Sequence, residues 1–365
     1  MNTKTIPEEW KKVKLGEAFD LKQGSYIPPN EFTDQGFDIY GANGIIGKVN
    51  KYMYDNRVVL ISCRGANCGV VHYTNPKSWV NNNSIAVLPK RDNILPHFLY
   101  YKFLYDGFEG FITGSAQPQI VVNVLANKKI LIPTFEEQIK IAEILSSVDE
   151  EIEKVDQEIK KTEELKRGLI TELLDRSKNL KIVKFSQLVK IGKDKISPKE
   201  VQNQRYIGLE HIGQGSGLLL GFGNSAETQS LKAIFKKGDI FFGKLRPYLK
   251  KYWKAEFDGV CTTEILVFRP ILNSDTDFIF QLVQSDKFIQ YSASKSFGTK
   301  MPRTDWKIIS EFKIKIPSPE ERKKIAEVLS IVDSKVNMDK QIKNKLAELK
   351  RGLMQDLFSG RVRIN

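Results

Sequence analysis

This sequence has little catalytic equipment. Three histidines among 365 residues leave small scope for general acid–base work. Three cysteines do not make a disulfide framework; with no export signal they point to a reducing compartment and an expected cytoplasmic location. The opening stretch Met1–Lys14 is polar and carries Glu8 and Glu9, unlike a secretory leader. No apolar run is long enough to span a bilayer, so no membrane partner is expected.

Several motifs are missing too. An enzyme that methylates an amino group on a base usually shows Asn/Asp-Pro-Pro-Tyr/Phe, and the chain offers only Ile27-Pro28-Pro29-Asn30. No Pro-Asp dipeptide is present, which weighs against the usual nuclease carboxylate motif. There is no Gly-x-x-x-x-Gly-Lys-Ser/Thr phosphate loop. Gly221-Phe222-Gly223 lacks the strand-turn-helix setting of a dinucleotide site. Cys63, Cys68 and His72 have ligand-like spacing, but a zinc site wants a fourth donor, and alternation along a strand explains them more simply. No catalytic residue, cofactor or metal is therefore expected.

What is present is basic charge, unevenly spread. The net charge is +13; residues 1–135 contribute +4, residues 136–176 −6, residues 181–316 +10 and residues 317–365 +4. A basic third quarter attracts polyanions, or serves only solubility.

An internal duplication organises the chain. Ile141–Val148 matches Ile325–Val332 at six of eight positions, and Glu164-Leu-Lys-Arg-Gly-Leu169 matches Glu348-Leu-Lys-Arg-Gly-Leu353 at all six. The offset of 184 already holds for Gly114 and Gly298, Pro118 and Pro302, and Pro133 and Pro317. Upstream, Val13-Lys-Leu15 echoes Val183-Lys-Phe185 at an offset of 170, so the second module is about 14 residues longer. Two constant parts are thus joined to two variable modules.

The constant parts read as helices. Thr134 with Glu137, and Ser318 with Glu321, form capping boxes, and Pro319 suits the first helical position. Apolar residues then recur at steps of three and four: Ile141, Leu145, Val148, Ile152, Val155, Ile159, Leu165, Leu169, Leu173, and Ile325, Leu329, Val332, Val336, Ile342, Leu346, Leu349, Leu353. About 40 residues give about 60 Å of helix, which wants a partner, and the acidic first copy suits the basic second. Gly168 and Gly352 each cost roughly 1 kcal/mol against Ala in mid-helix, which suggests close helix approach or a partner contact. The modules read as mixed α/β, with strands at Arg57–Ser62, Ile85–Leu88, Asp239–Phe242 and Ile265–Phe268 and helices at Pro96–Tyr105 and Asp277–Tyr291.

Candidate DNA contacts cluster in three places. Gly243–Lys254 packs five cations and three aromatics into twelve residues, including Lys244, Arg246, Tyr248, Lys250 and Lys251. Cations neutralise phosphates, and Arg also reads guanine. Ser115, Gln117 and Gln119 lie on a loop fixed by Gly114 and Pro118; Thr299, Lys300 and Arg303 are their counterparts. Arg64 completes the set. The plainer alternatives are a solvated basic face and loops that only cap a core.

With Gly114–Gln119, Ile132–Ala142, Tyr206–Ile212, Phe242–Tyr248 and the repeated hexapeptide, the chain resembles the specificity subunits of type I restriction-modification enzymes over essentially its whole length. The resemblance implies an α+β (mixed) architecture: two α/β-type target recognition domains joined by two long helices in an antiparallel coiled coil, a pseudo-twofold internal duplication. Residues 1–133 and 179–317 would be the recognition domains; 134–178 and 318–365 the spacer helices. Each domain would read one half of a bipartite, asymmetric site in double-stranded DNA. The helices would set the spacing and dock two methyltransferase subunits, and through them the restriction-translocase subunits. Those partners would carry adenine methylation and ATP-dependent cleavage; this chain would be non-catalytic. The spacer repeat of the family is reduced here to Thr162-Glu-Glu-Leu165. Serving a fused nuclease-methyltransferase, or acting as another non-enzymatic DNA-binding scaffold, is the alternative.

Overall fold

In a computed structural model the chain forms two compact units, Met1–Lys154 with Lys343–Asn365, and Val155–Ile342. The structure describes residues 7–114, 116–176, 180–201 and 203–364. The first module runs β1 (Lys11–Lys14), α1 (Leu15–Ala18), β2 (Phe19–Gln23), β3 (Phe37–Gly41), β4 (Gly44–Val49), β5 (Val59–Ser62), β6 (Val71–Tyr73), β7 (Trp79–Val80), β8 (Ser84–Pro89), α2 (Pro96–Asp106), α3 (Val122–Leu125) and β9 (Lys129–Ile132), followed by α4 (Phe135–Arg176). Its sheets are β2-β8-β5-β6, β4-β3-β7 and β1-β9. The strand expected at Arg57–Ser62 is β5, that at Ile85–Leu88 is β8, and the helix expected from Pro96 is α2.

β5 explains how the layers meet. All four of its residues are buried, and a strand buried on both faces reads as a continuous apolar run. Side chains alternate across a strand. Val59 and Ile61 join the core that holds Leu99 and Phe103 of α2. Leu60 points the other way, into a cluster with Tyr40 and Val80 of the second sheet. Helix, sheet and second sheet are thus stacked through one strand.

The second module repeats this plan. It contains β10 (Lys181–Lys184), β11 (Val189–Ile191), β12 (Lys195–Ile196), β13 (Arg205–Ile207), β14 (Gly223–Asn224), β15 (Lys232–Phe235), β16 (Ile240–Gly243), β17 (Tyr252–Lys254), β18 (Gly259–Thr262) and β19 (Ile265–Pro270). Then come α5 (Thr276–Gln284), α6 (Asp286–Ser294), α7 (Trp306–Ile309), β20 (Lys313–Ile316) and α8 (Pro319–Phe358). Its sheets are β11-β19-β16-β17, β12-β15-β18-β13-β14 and β10-β20. β16 plays the part of β5: Ile240 and Phe242 face the helices, while Phe241 packs edge-on against Phe235 and Trp253. In each module one strand pair is parallel, Ile39 opposite Trp79 and Tyr206 opposite Val260.

One expected helix is two. Asp277–Tyr291 breaks at Ser285, which is extended (φ −65°, ψ 144°) and whose hydroxyl accepts from the Phe288 N–H at 3.3 Å. A Ser at this position caps a new helix rather than continuing the old one.

The long helices are capped as read. The Glu137 N–H donates to Thr134 Oγ1 and the Thr134 N–H to Glu137 Oε2 (3.3 and 3.4 Å); Ser318 and Glu321 repeat the exchange at 3.3 Å each way. Glu137 also accepts from Trp10 Nε1 and Arg363 Nε, so this cap is an anchor too. Within each unit the helices run antiparallel. In the first, Ile141 and Leu145 pack with Met354 and Leu357, and Asp149 pairs with Lys350. In the second, Glu163 pairs with Lys340 and Lys166 with Asp333.

Two expectations about the helices are corrected. The apolar seam is shorter than its periodicity suggested: Ile141, Leu145, Ile159, Ile325, Leu329 and Val336 are buried, but Leu165, Ile342 and Leu349 are 57%, 42% and 51% exposed. Close helix approach does not explain the glycines, since a Cβ added at Gly168 or Gly352 meets no atom within 4 Å.

Candidate nucleic-acid interface

Both modules build one construction from different residues. Leaving β5, the Cys63 carbonyl accepts from the Ile120 N–H at 3.0 Å, and the Gly65 N–H donates to the Pro118 carbonyl at 3.0 Å. Leaving β16, the Lys244 carbonyl accepts from the Thr304 N–H at 3.0 Å, and the Arg246 N–H donates to the Pro302 carbonyl at 2.7 Å. Arg64 therefore corresponds to Leu245, and Gly65 to Arg246. The loop each segment grips is also shared. Thr113 and Gln119 exchange both backbone bonds (2.8 and 2.9 Å), as do Phe297 and Arg303 (2.9 and 2.8 Å). Gly114 and Gly298 open these loops at φ +82° and +88°. A side chain at Gly114 would meet the Gln117 carbonyl at 2.7 Å, so this position requires glycine.

Arg64, Gln117 and Gln119 are exposed and share the first loop pair. Ser115 lies outside the described residues. Thr299 and Lys300 are exposed on the second loop, beside Arg303. The Arg303 Nε donates to Glu264 Oε2 at 3.1 Å, which leaves its remaining guanidinium N–H groups as donors.

The basic run divides once side chains are placed. Tyr248 is exposed by half. The Lys244 ammonium donates to the Thr263 carbonyl, and burial pulls its pKa down, with Glu264 opposing. Lys250 pairs with Asp286 at 2.9 Å. Lys251 donates to the Leu209 and Ile212 carbonyls at 2.6 and 2.9 Å. These three lysines thus have internal partners.

Arg246 differs. It is left-handed (φ 48°, ψ 65°) where the first module has Gly65 at φ +77°. For a residue with a Cβ that costs about 1–2 kcal/mol, and Lys250 closes the same turn with a second left-handed residue (φ 52°, ψ 46°). The Arg246 Nε is buried without a hydrogen-bond partner in the chain. Such strain concentrates at functional sites.

The sequence did not single out the turn after β3. The Asn67 amide donates to Asn43 Oδ1 at 3.0 Å, and the Ser62 hydroxyl donates to the Ala42 carbonyl at 2.8 Å. These bonds tie the turn to the Arg64 loop. Ile45 beside it is 52% exposed. Only the Asn-Gly pair at 43–44 hinted at it, as a hairpin signal. Cys63 is buried in the core, Cys68 half-buried, and the His72 ring faces the Ala42 carbonyl at 3.4 Å. Among the described residues no group of three or more His, Cys, Asp or Glu side chains is placed to hold a metal ion. Nor is any described helix long and apolar enough to cross a membrane.

Known proteins resemble the chain over its full length. The EcoDI specificity subunit of a type I restriction enzyme from Escherichia coli is 23% identical over 412 residues, covering 99% of this chain and 90% of that one. The MjaVIII specificity subunit from Methanocaldococcus jannaschii is 25% identical over 404 residues, covering 98% and 94%. Among solved structures, the S subunit of a type I restriction-modification system from M. genitalium superposes with a TM-score of 0.69 at 18% identity, covering 100% of both chains. A chain from a structure of type I restriction-modification complex assembly and conformational transition gives 0.55 at 16% identity, covering 98% and 100%. At such identities the superpositions speak for the fold. The family model described as the type I restriction modification DNA specificity domain matches twice, at residues 7–164 and 177–348, and the chain belongs to that family.

Proposed function

We propose that this chain is the DNA-reading, non-catalytic subunit of a type I restriction-modification complex, with residues 1–133 and 179–317 as its two target recognition domains and residues 134–178 and 318–365 as its spacer helices. Each domain reads one half of a bipartite, asymmetric site in double-stranded DNA. The helices set the spacing and dock two methyltransferase subunits, through which the restriction-translocase subunits join. The partners carry the methylation and cleavage chemistry, and the complex works in the cytoplasm.

The repeated hexapeptide carries this reading. Lys166 and Lys350 turn inward, each to an aspartate of the opposite helix. Leu165 and Leu349 stand more than half exposed, and Gly168 and Gly352 face open space. Identical apolar and glycine positions left open in both copies are what two identical partner subunits would need. The two loop pairs support the rest: one scaffold, holding Arg64, Gln117 and Gln119 in one copy and Arg246, Thr299, Lys300 and Arg303 in the other, suits reading two different sequences.

The test is to co-express the chain with its methyltransferase partner and sequence the methylated motifs. A split motif is expected, and exchanging residues 1–133 for a relative's module should change one half only. The purified chain alone should neither methylate nor cut. Turnover by the single chain, or a change in both halves, would defeat the proposal.

A further inference from the structure

Most of the extra length of the second module falls within one hairpin. Tyr40 opposite Val80 corresponds to Ile207 opposite Cys261, an offset of 167 between β3 and β13 and of 181 between β7 and β18. Tyr54 bridged to Ser78 corresponds to Phe235 paired with Gly259, an offset of 181. The added fourteen residues therefore lie between these points, and since Ile39 faces Gly47 where Tyr206 faces Gly223, an offset of 176 between β4 and β14, nine of them fall within the hairpin and five after it. In the first module β3 and β4 are joined by Ala42 and Asn43 alone; in the second β13 and β14 are joined by Gly208–Phe222. Insertions at a hairpin tip leave the core intact and commonly carry function.

This segment is held against the candidate interface. The Gly215 N–H donates to the Lys250 carbonyl at 2.9 Å, and Tyr252 Oη donates to the Gly215 carbonyl at 3.1 Å. The Lys251 ammonium grips the Leu209 and Ile212 carbonyls, which accounts for that lysine. All these partners lie on or next to the turn that displays Arg246 and Tyr248. Gly215 and Gly217 take positive φ (+66° and +68°), and a Cβ at Gly215 or Gly221 would meet nothing within 4 Å, so the backbone there is open to close approach. Gln214 is exposed, Leu220 is 69% exposed and Phe222 54%. Phe222 is braced by the Arg205 guanidinium, 5.1 Å from its ring and 4.5 Å from that of Phe257.

The segment holds no lysine or arginine. It is therefore unsuited to phosphates, whose contacts come mainly from cations. An amide and bare apolar side chains suit base edges: Gln reads adenine, and apolar groups meet thymine methyls.

We infer that Gly208–Phe222 is a second base-reading element of this module, absent from the first, with Gln214 and Leu220 as its reading side chains. The inference rests on the proposed DNA-reading function. Its test uses the full chain co-expressed with its methyltransferase partner, carrying Gln214→Ala or Leu220→Ser, both exposed and so tolerated by the fold. Methylated-motif sequencing should show the half-site of the second module relaxed at one position and the other half unchanged. Affinity for the cognate duplex should fall roughly tenfold. The slope of affinity against salt should stay the same, since no cation is removed. Wild-type motif and affinity in both variants would overturn the assignment, as would an equal loss of affinity for cognate and scrambled duplexes with the motif unchanged. A wild-type complex that writes no split motif would instead overturn the underlying function.

Discussion

The Lys350 ammonium sits 2.6 Å from the Asp149 carboxylate, and a shift of 184 residues in each turns this pair into Lys166 with Asp333. Each aspartate takes a second bond from its own module: Tyr101 Oη donates to Asp149 at 2.9 Å, and Gln281 Nε2 donates to Asp333 at 2.8 Å. Each bridge thus joins α4, α8 and a recognition module. The environment is dry enough that burial pulls the Lys166 pKa down, with Asp333 opposing. The Tyr101 phenol is pushed far up by burial and by Asp149.

Removing one cation leaves a partly buried carboxylate short of a partner. Fully buried, that costs about 3–5 kcal/mol. With Asp149 and Asp333 about a third exposed, solvent screening should reduce it to about 1–3 kcal/mol. Lys350→Met and Lys166→Met are expected to destabilise by similar amounts in urea unfolding. Their effects should add to within about 0.5 kcal/mol, because the pairs share no neighbours. A neutral result for both would show that the bridges do not hold the helices to the modules.

The duplication that exposes this symmetry was legible in the sequence, and so were the helices, because the repeat, the capping boxes and the 3.6-residue period are local signals. The seam was overread at Leu165 and Leu349. Periodicity marks which residues share a face; it cannot say whether the chain itself covers that face. Ser285 was overlooked because a single hydroxyl between two apolar stretches hardly disturbs the helical period. At the candidate interface, Arg246 was picked out by charge and composition. Its match to Gly65 was invisible, since the two share a backbone conformation and no side chain. Lys251 shows the converse: its charge suggested phosphate, while its bonds run to backbone carbonyls 39 and 42 residues away.

Those placements sharpen the expectations for DNA binding. Arg246→Ala should cost about 1–3 kcal/mol on the cognate duplex and relax one base position. Lys300→Ala, at an exposed loop position, should weaken binding to all sequences and reduce the salt slope by roughly one. Lys244→Ala should leave the salt slope unchanged, because that ammonium is bonded to Thr263. Titrations of each variant against cognate and scrambled duplexes at several salt concentrations decide this. An equal loss for Lys244→Ala and Lys300→Ala would mean that Lys244 leaves its carbonyl to meet phosphate.

The cysteines supply one reporter per unit. Cys63 in the first and Cys261 in the second are 2% and 0% exposed. Burial raises both thiol pKa values, for Cys63 with Arg64 opposing. The thiolate is the reactive form, so neither should be alkylated in the native protein, and raising the pH from 7 to 9 should bring little gain. Cys68, half-buried, should label first. In urea, Lys350→Met should expose Cys63 at lower concentration and leave Cys261 near its wild-type midpoint; Lys166→Met should do the reverse. Simultaneous labelling in every variant would show that the units unfold together.

The open glycines separate stability from docking. Ala replaces Gly in mid-helix with a gain of roughly 1 kcal/mol, and at Gly168 and Gly352 the added Cβ meets nothing in the chain. Gly168→Ala and Gly352→Ala should therefore stabilise the isolated chain. Leu is a good helix former, and with open space around the added Cβ, Gly168→Leu and Gly352→Leu should fold as well. If the exposed faces around Leu165 and Leu349 receive methyltransferase subunits, however, the added side chain lies in the interface. Each single Leu variant should then capture one subunit in place of two, and the double variant none, with thermal unfolding of the free chain no lower than wild type. Native mass spectrometry of the co-purified complexes gives the counts. Two subunits on the double Leu variant would show that the partner docks on another face and that the glycines serve something else.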